Sequence, residues 1–366
     1  MKVWQILVVV AAGIGYSWLA PGQFTYAFGH ATLYVFLPAL LFEAAWNLNY
    51  RSIVRQWPAI ATLAGPGVIL TALIVAGALA VVRVPLGPAF LAGAILSATD
   101  PIAVVAVFRR LRVPKTLATI VECESLFNDA VAVVLYRGVL AALALTTPAA
   151  GAIAAVVLWA LAGALGGVAV GVALAFAIAA LLRGSRKPEL QIAVTLVCAY
   201  GVYFVCDRLQ LSGIFAVVAF GIALRHFERT WITLRLAADV YQFWDILALA
   251  SNVLVFFLVG AALQIGSVAR EPAFVIAALA AIAVARVAVA GLLLPGGYPR
   301  SWLDVVRIAG MRGALSLALA LALPANVPYR QAIVDATFAV ALATLLATAL
   351  SAKPVVERAT RGLFRG

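Results

Sequence analysis

The chain has 366 residues, 66% of them hydrophobic and only 11% charged, with a mean hydropathy of +1.11. Soluble domains average about 45–50% apolar and 25% charged residues, so this composition excludes a soluble globular protein and describes an all-α polytopic membrane protein. The net charge of +12 would suit nucleic acid, but the basic residues stand between apolar runs rather than along one amphipathic face. Orientation of the chain in a bilayer accounts for them, and no nucleic-acid partner is expected. Cys123, Cys198 and Cys206 lie in or at apolar segments and give no disulfide framework, and with only His30 and His226 a histidine metal cluster is not expected. No cofactor is implied.

Apolar runs fall at 3–20, 30–48, 58–82, 88–107, 117–145, 149–182, 190–206, 211–224, 240–266, 272–294, 303–323 and 331–352. About 20 residues cross a bilayer as a helix, so these predict about twelve transmembrane spans. Run 3–20, with Lys2 ahead of it, has the look of a signal peptide, but the many spans that follow argue against cleavage. With both termini placed in the cytoplasm, the cytoplasmic connections carry 18 basic residues, among them Arg51, Lys115, Arg183, Arg229, Arg300 and Lys353. The opposite set carries four: Arg83, Arg208, Arg270 and Arg330. That asymmetry predicts a multi-pass protein of the cell (inner) membrane with both termini inside.

The run 149–182 is uncharged and longer than a perpendicular span needs, which suits a tilted helix. It divides five spans from six, and inverted repeats joined by a connector are common in secondary transporters. The expected organisation is therefore a first repeat half at 1–148, a connector helix and loop at 149–189, a second half at 190–352, and a short basic cytoplasmic tail at 353–366.

Two spans are broken. In Ser97-Ala-Thr-Asp-Pro101, the proline lacks an amide hydrogen and crowds the carbonyl of Ser97. That leaves Thr99 and Asp100 beside carbonyls released from the helix ladder, which can coordinate cations. Asp100 either faces the following half-helix N-terminus or simply caps it. In Gly310-Met-Arg-Gly313, two glycines permit a second break, and Arg312 is a deep cation needing a carboxylate or a half-helix C-terminus. Glu124 is its expected partner. Glu43 is an isolated acid in Phe36-Leu-Pro-Ala-Leu-Leu-Phe-Glu43, read either as functional or as hydrated near the interface. Arg286 is expected to pair or snorkel, and Asp245 and Asp335 to lie near span ends.

Glu122-Cys-Glu-Ser-Leu-Phe-Asn-Asp129 then heads the fifth span. Ionisable groups there cost about 2.5–3.5 kcal/mol each on insertion scales and default to a functional reading. On a helix Ser125 and Asp129 share a face with Glu122, while Glu124 and Asn128 form a second i,i+4 pair. Hydroxyl and carboxylate together suit a hard cation.

These motifs, Thr99-Asp-Pro101 and Glu122-x-Glu-Ser-Leu-Phe-Asn-Asp129, resemble those of the NhaP-type monovalent cation/proton antiporters, of the sodium/proton exchanger family. Phe36 to Glu43 and Gly310-Met-Arg-Gly-Ala-Leu-Ser-Leu317 are similar to two further family motifs in the same order, and the resemblance covers essentially the whole chain. It implies two crossing discontinuous helices, core (ion-translocation) and dimerisation domains, and a homodimer. It also implies that Asp129 alternately binds Na+ and H+, with Ser125, Glu43 and the Thr99 backbone as further cation contacts. Asp100 would compensate the half-helix ends, and Glu124, Asn128 and Arg312 would hold the core together, with Glu122 and Arg286 in support. The Asn128-Asp129 pair resembles the electroneutral branch, so a 1:1 exchange of Na+ (or Li+) for H+ is expected.

Two departures bear on this. Family members commonly carry one more N-terminal span, which leaves a transport-inactive or channel-like homologue as an alternative; a K+/H+ exchanger is a further alternative on ion selectivity. Ala39 and Cys123 also stand where proline and glycine are common. An intramembrane aspartyl protease using Asp100 and Asp129 is disfavoured by the Asn128-Asp129 context and by Arg312.

Overall fold

A computed structural model describes residues 3–19, 32–111, 113–143, 150–231, 236–262, 271–294 and 296–361. Lys2, His30, Arg112, Arg235, Arg270 and the tail beyond residue 361 lie outside the described residues. The described residues form fourteen α-helices, one π-helical turn at Thr32–Phe36 and a single isolated β-bridge.

The apolar runs coincide with helices. α1 is Val3–Leu19, α2 Leu37–Asn47, α3 Tyr50–Val81, α6 Lys115–Leu143, α7 Ala150–Leu181 and α8 Pro188–Arg208. After them come α9 (Gly213–Thr230), α10 (Ala238–Ala262), α11 (Pro272–Leu293) and α14 (Arg330–Arg361). Two runs are split into half-helices: α4 (Leu86–Ser97) with α5 (Ile102–Leu111), and α12 (Arg300–Ala309) with α13 (Ala314–Leu321). Among the described residues seven helices are long and apolar enough to cross a membrane: α3, α6, α7, α8, α10, α11 and α14. At 1.5 Å rise per residue, the 32 residues of α7 reach roughly 48 Å, beyond the hydrocarbon core of about 30 Å.

The chain forms two compact units, each assembled from separated stretches. The first comprises Met1–Thr32, Gln56–Leu140 and Val253–Gly366; the second Leu33–Arg55 and Ala141–Asn252. In the first, α14 packs against α11, α12, α13 and α5. Its core brings Leu63, Phe108, Ile120, Val289, Trp302, Val306 and Val356 together. A smaller cluster sets Ile6 and Val10 of α1 against Ala103 and Met311 at the helix breaks.

In the second unit α9 packs against α7, α2 and α8, and the ring of Phe42 lies 4.3 Å from that of Trp244 and 5.3 Å from that of Phe220. Buried apolar area holds each unit together, and the outward apolar residues meet acyl chains instead of water. Asp335, expected at a span end, is only 5% exposed one turn into α14, where it accepts from Gln331 at 2.9 Å. Asp245 is exposed.

A candidate cation site at two crossed broken helices

α4 stops at Ser97, and Ala98 is extended (φ −62°, ψ 140°). Continuation is blocked because Pro101 has no N–H to offer Ser97, and the helix restarts as α5 at Ile102. The second break runs from Gly310 to Gly313. The two gaps lie against each other, with the Asp100 N–H donating to the Met311 carbonyl at 2.8 Å in an antiparallel pair. Crossing two broken helices leaves two helix N-termini and two C-termini inside the protein, each with unsatisfied groups and partial charge.

The N-terminal ends share one anion. The Asp100 carboxylate accepts the Ile102 N–H at 2.9 Å, opening α5. It also lies against Gly313, directly ahead of α13; a side-chain carbon at Gly313 would collide with it. The C-terminal ends share arginines. The Arg312 Nε–H donates to Leu96 O at 2.7 Å in the last turn of α4, and its Nη1 donates to Gly310 O at the end of α12. Arg286, from α11, donates to Arg307 O at 3.3 Å and to Val306 O, in the last turn of α12. Three hydroxyls complete the junction. Ser316 donates to Ala98 O at 3.3 Å, Thr348 donates to Ile308 O at 3.0 Å, and Thr344 accepts the Arg312 N–H at 3.0 Å.

The acidic stretch Glu122 to Asp129 lies within α6, and the first break docks on it. The Thr99 hydroxyl donates to Ser125 Oγ at 3.1 Å and accepts from Asn128 Nδ2 at 3.2 Å. Thr99 thereby joins the two faces of α6 that helical geometry separates. Asn128 Nδ2 also reaches Glu124 Oε1 at 3.5 Å. The Thr99 backbone N–H is directed at the Asp129 carboxylate, and Asp100 is close enough to act on that carboxylate electrostatically. Three buried acceptor oxygens in this stretch have no hydrogen-bond donor: Asp129 Oδ1, Asn128 Oδ1 and Glu124 Oε2. Buried polar atoms are nearly always satisfied, and a group of orphaned oxygens is the ligand chemistry of a proton or a hard cation. Among the described residues no cluster of three or more His, Cys, Asp or Glu side chains could hold a metal ion.

One expectation is corrected. Glu124 does not pair with Arg312; it pairs with Arg286, Nη1 to Oε1 at 2.8 Å, and both side chains are buried. Arg312, 1% exposed, uses the other option open to a deep cation, the carbonyls of helix C-termini. Among the remaining expected residues, Glu122 is half-buried one turn before Ser125. Glu43 belongs to the second unit, on α2, where its carboxylate accepts from Asn47 Nδ2 at 2.6 Å. Sequence reasoning did not find Thr344, Thr348 and Ser316. Their signal is a hydroxyl in an apolar run near a broken helix, too common to single out, and for Ser316 also a place inside the Gly310 to Leu317 motif, which by itself assigns it no partner.

Crossed half-helices beside a carboxylate, in a helical membrane protein, are a construction that recurs in secondary transporters. Comparison with known proteins makes this specific. The family described as sodium/hydrogen exchanger, transmembrane, matches residues 2–358, and the chain belongs to that family. The low-affinity Na+/H+ antiporter NhaS1 of Synechocystis sp. is 35% identical over 88% of this chain and 63% of its own length. The Na+/H+ antiporter ApNhaP of Aphanothece halophytica is 33% identical over 89% of this chain and 64% of its own length. The chain thus spans slightly under two thirds of these two relatives, and 82% of the Na+/H+ antiporter NhaH of Halobacillus aidingensis, to which it is 30% identical. Its fold matches that of the sodium proton antiporter MjNhaP1 from Methanocaldococcus jannaschii, with a TM-score of 0.83, 22% identity and coverage of 97% and 92% of the two chains.

Proposed function

We propose that this protein exchanges Na+ (or Li+) for H+ across the cell membrane, with Asp129 as the group that holds either ion. The observation that carries the proposal is the buried, donorless Asp129 Oδ1 beside a Thr99–Ser125–Asn128 network. The Na+/H+ antiporter relatives support it. Oxygen ligands of carboxylate, hydroxyl and backbone type suit a hard monovalent ion. A proton on Asp129 excludes the cation, so each binding event displaces the other. With Asn128 neutral, one carboxylate cycling between one proton and one cation moves no net charge, which makes the exchange electroneutral. Ser125 and the Thr99 backbone supply the neutral oxygens, and Glu43 is retained as a cation contact on its sequence motif alone. Asp100, Arg312, Arg286 and Glu124 hold the half-helices so that the site can be exposed to either face in turn.

No cofactor takes part; the ions are cargo. We further propose an inner-membrane location with both termini cytoplasmic, on the 18-to-4 distribution of basic residues, and a homodimer, on the family resemblance alone. The test is Asp129→Asn in everted vesicles. Insertion and yield should be unchanged and sodium-dependent proton movement lost; normal exchange by the variant would overturn the assignment.

A further inference from the structure

In the second unit α7 and α9 run parallel in a fixed register set by small residues. Gly163 of α7 faces the backbone at Gln210 and Leu211, Gly167 faces Ser212 and Ala216, and Gly171 faces Ala216 and Phe220. At each of these positions the neighbour is backbone, and at Gly167 and Gly171 it is close enough that a methyl group would not fit. Carried three turns further, this register lays the ends of the two helices side by side. The ring of Phe176 then meets Phe227 at 6.0 Å and Trp231 at 5.6 Å, both edge-on, and Phe227 meets Trp231 at 5.2 Å. Arg183, in the turn closing α7, lies over the Trp231 ring at 5.4 Å. Gly184, at φ +79°, takes the left-handed conformation that ends the helix and fixes that turn.

The chemistry of this corner is two-layered. Phe176, 55% exposed, turns an aromatic ring outward on the apolar side. Beyond it stand Arg183, Arg186, Lys187 and Arg229, all exposed at the same ends of α7 and α9. Two acids are nearby in sequence. Glu228 is engaged by Arg225 and by Tyr241, and Glu189 opens α8, one turn beyond the basic loop. Stacking on the indole holds the positive charge of Arg183 at this corner. An aromatic belt below a basic cluster is the arrangement that matches the glycerol and phosphate levels of a bilayer.

We propose that the corner formed by Arg183, Trp231 and Phe176, with Arg186, Lys187 and Arg229 around it, is a binding site for the phosphate of an anionic phospholipid. The acyl chain lies along the aromatic cluster and the headgroup sits among the cations.

Quenching of tryptophan emission by brominated lipids in reconstituted vesicles tests this, with Trp231→Phe identifying the part of the signal that belongs to Trp231. Brominated phosphatidylglycerol should quench that part at bulk fractions where brominated phosphatidylcholine does not. Each basic residue removed should weaken the preference about fivefold: Arg183→Gln directly, and Arg186→Gln with Lys187→Gln together more strongly. Arg183→Lys should keep most of it. Soluble glycerol phosphate should not compete, which separates a lipid from a free phosphate. Equal quenching by the two lipids, or an unchanged preference in the Arg186/Lys187 double variant, would overturn the proposal. That double variant lies in an exposed loop, so the test stands even if Arg183→Gln fails to fold.

Discussion

Glu124 and Arg286 face each other at 2.8 Å with side chains 1% and 9% exposed, and the same arginine closes the carbonyl end of α12. The pair therefore ties α6, which carries Asp129, to α11 and to the crossing point. Breaking a buried pair by removing one partner costs about 3–5 kcal/mol, because the other charge is left uncompensated. Arg286→Ala should thus lower the thermal midpoint in detergent sharply and Glu124→Gln should do so less. The double variant Glu124→Gln/Arg286→Ala should be more stable than Arg286→Ala alone. A double-mutant cycle read by fluorescence-detected size exclusion measures the coupling.

Arg312 joins two helix ends with one planar cation, a geometry an ammonium cannot copy. Hydrogen bonds to a charged donor are worth about 1.5–3 kcal/mol each, and Lys at this position can satisfy at most part of the Leu96 and Gly310 carbonyls. Arg312→Lys should lose at least one such bond in stability and retain little exchange, and Arg312→Ala should lose most of the folded yield. Monodisperse, stable Arg312→Ala protein would contradict the carbonyl-bridging role.

Gly313→Ala places a methyl group where the Asp100 carboxylate sits, whereas Gly65→Ala on α3 meets nothing within 4 Å. The first should impair both thermal stability and exchange, and the second should leave exchange unchanged. Reconstituted flux with matched protein amounts separates them.

Thr99→Val removes the hydroxyl that spans both faces of α6 while keeping the shape and the backbone N–H directed at Asp129. The expected stability loss is about 1–2 kcal/mol, a buried hydrogen-bond network short of one member. The half-saturating Na+ concentration should rise about tenfold, as for roughly 1.4 kcal/mol of lost binding. Thr99→Ser should restore it.

The sign of the pH effect follows from competition. Protonated Asp129 cannot hold the cation, so apparent Na+ affinity should fall as pH falls, approaching about tenfold per unit where protons saturate the site. Affinity that rises on acidification, or that is flat, would place the cation elsewhere.

The sequence made the helices, the two breaks and the acidic stretch legible because each rests on a local rule. A 20-residue apolar run must be helical in lipid, Pro101 cannot continue a helix, and charges in a span stand out against their surroundings. The pairing of those charges did not follow from such rules. Both Arg286 and Arg312 are single cations in apolar runs, and helix periodicity says which face a residue occupies but not which helix it meets. Glu124 therefore has two equivalent candidates in the sequence, and only the packing of α6 against α11 selects Arg286. The bridging of Ser125 and Asn128 by Thr99 was likewise out of reach, since it depends on how closely the extended break docks onto α6.

The most direct test of the central claim is sodium-driven proton flux in proteoliposomes, read with a pH dye under a potassium/valinomycin clamp. Flux that is present in the wild type, independent of the imposed voltage and absent in Asp129→Asn is the predicted result. Voltage-dependent flux, or flux that survives in Asp129→Asn, would contradict one-for-one exchange at Asp129.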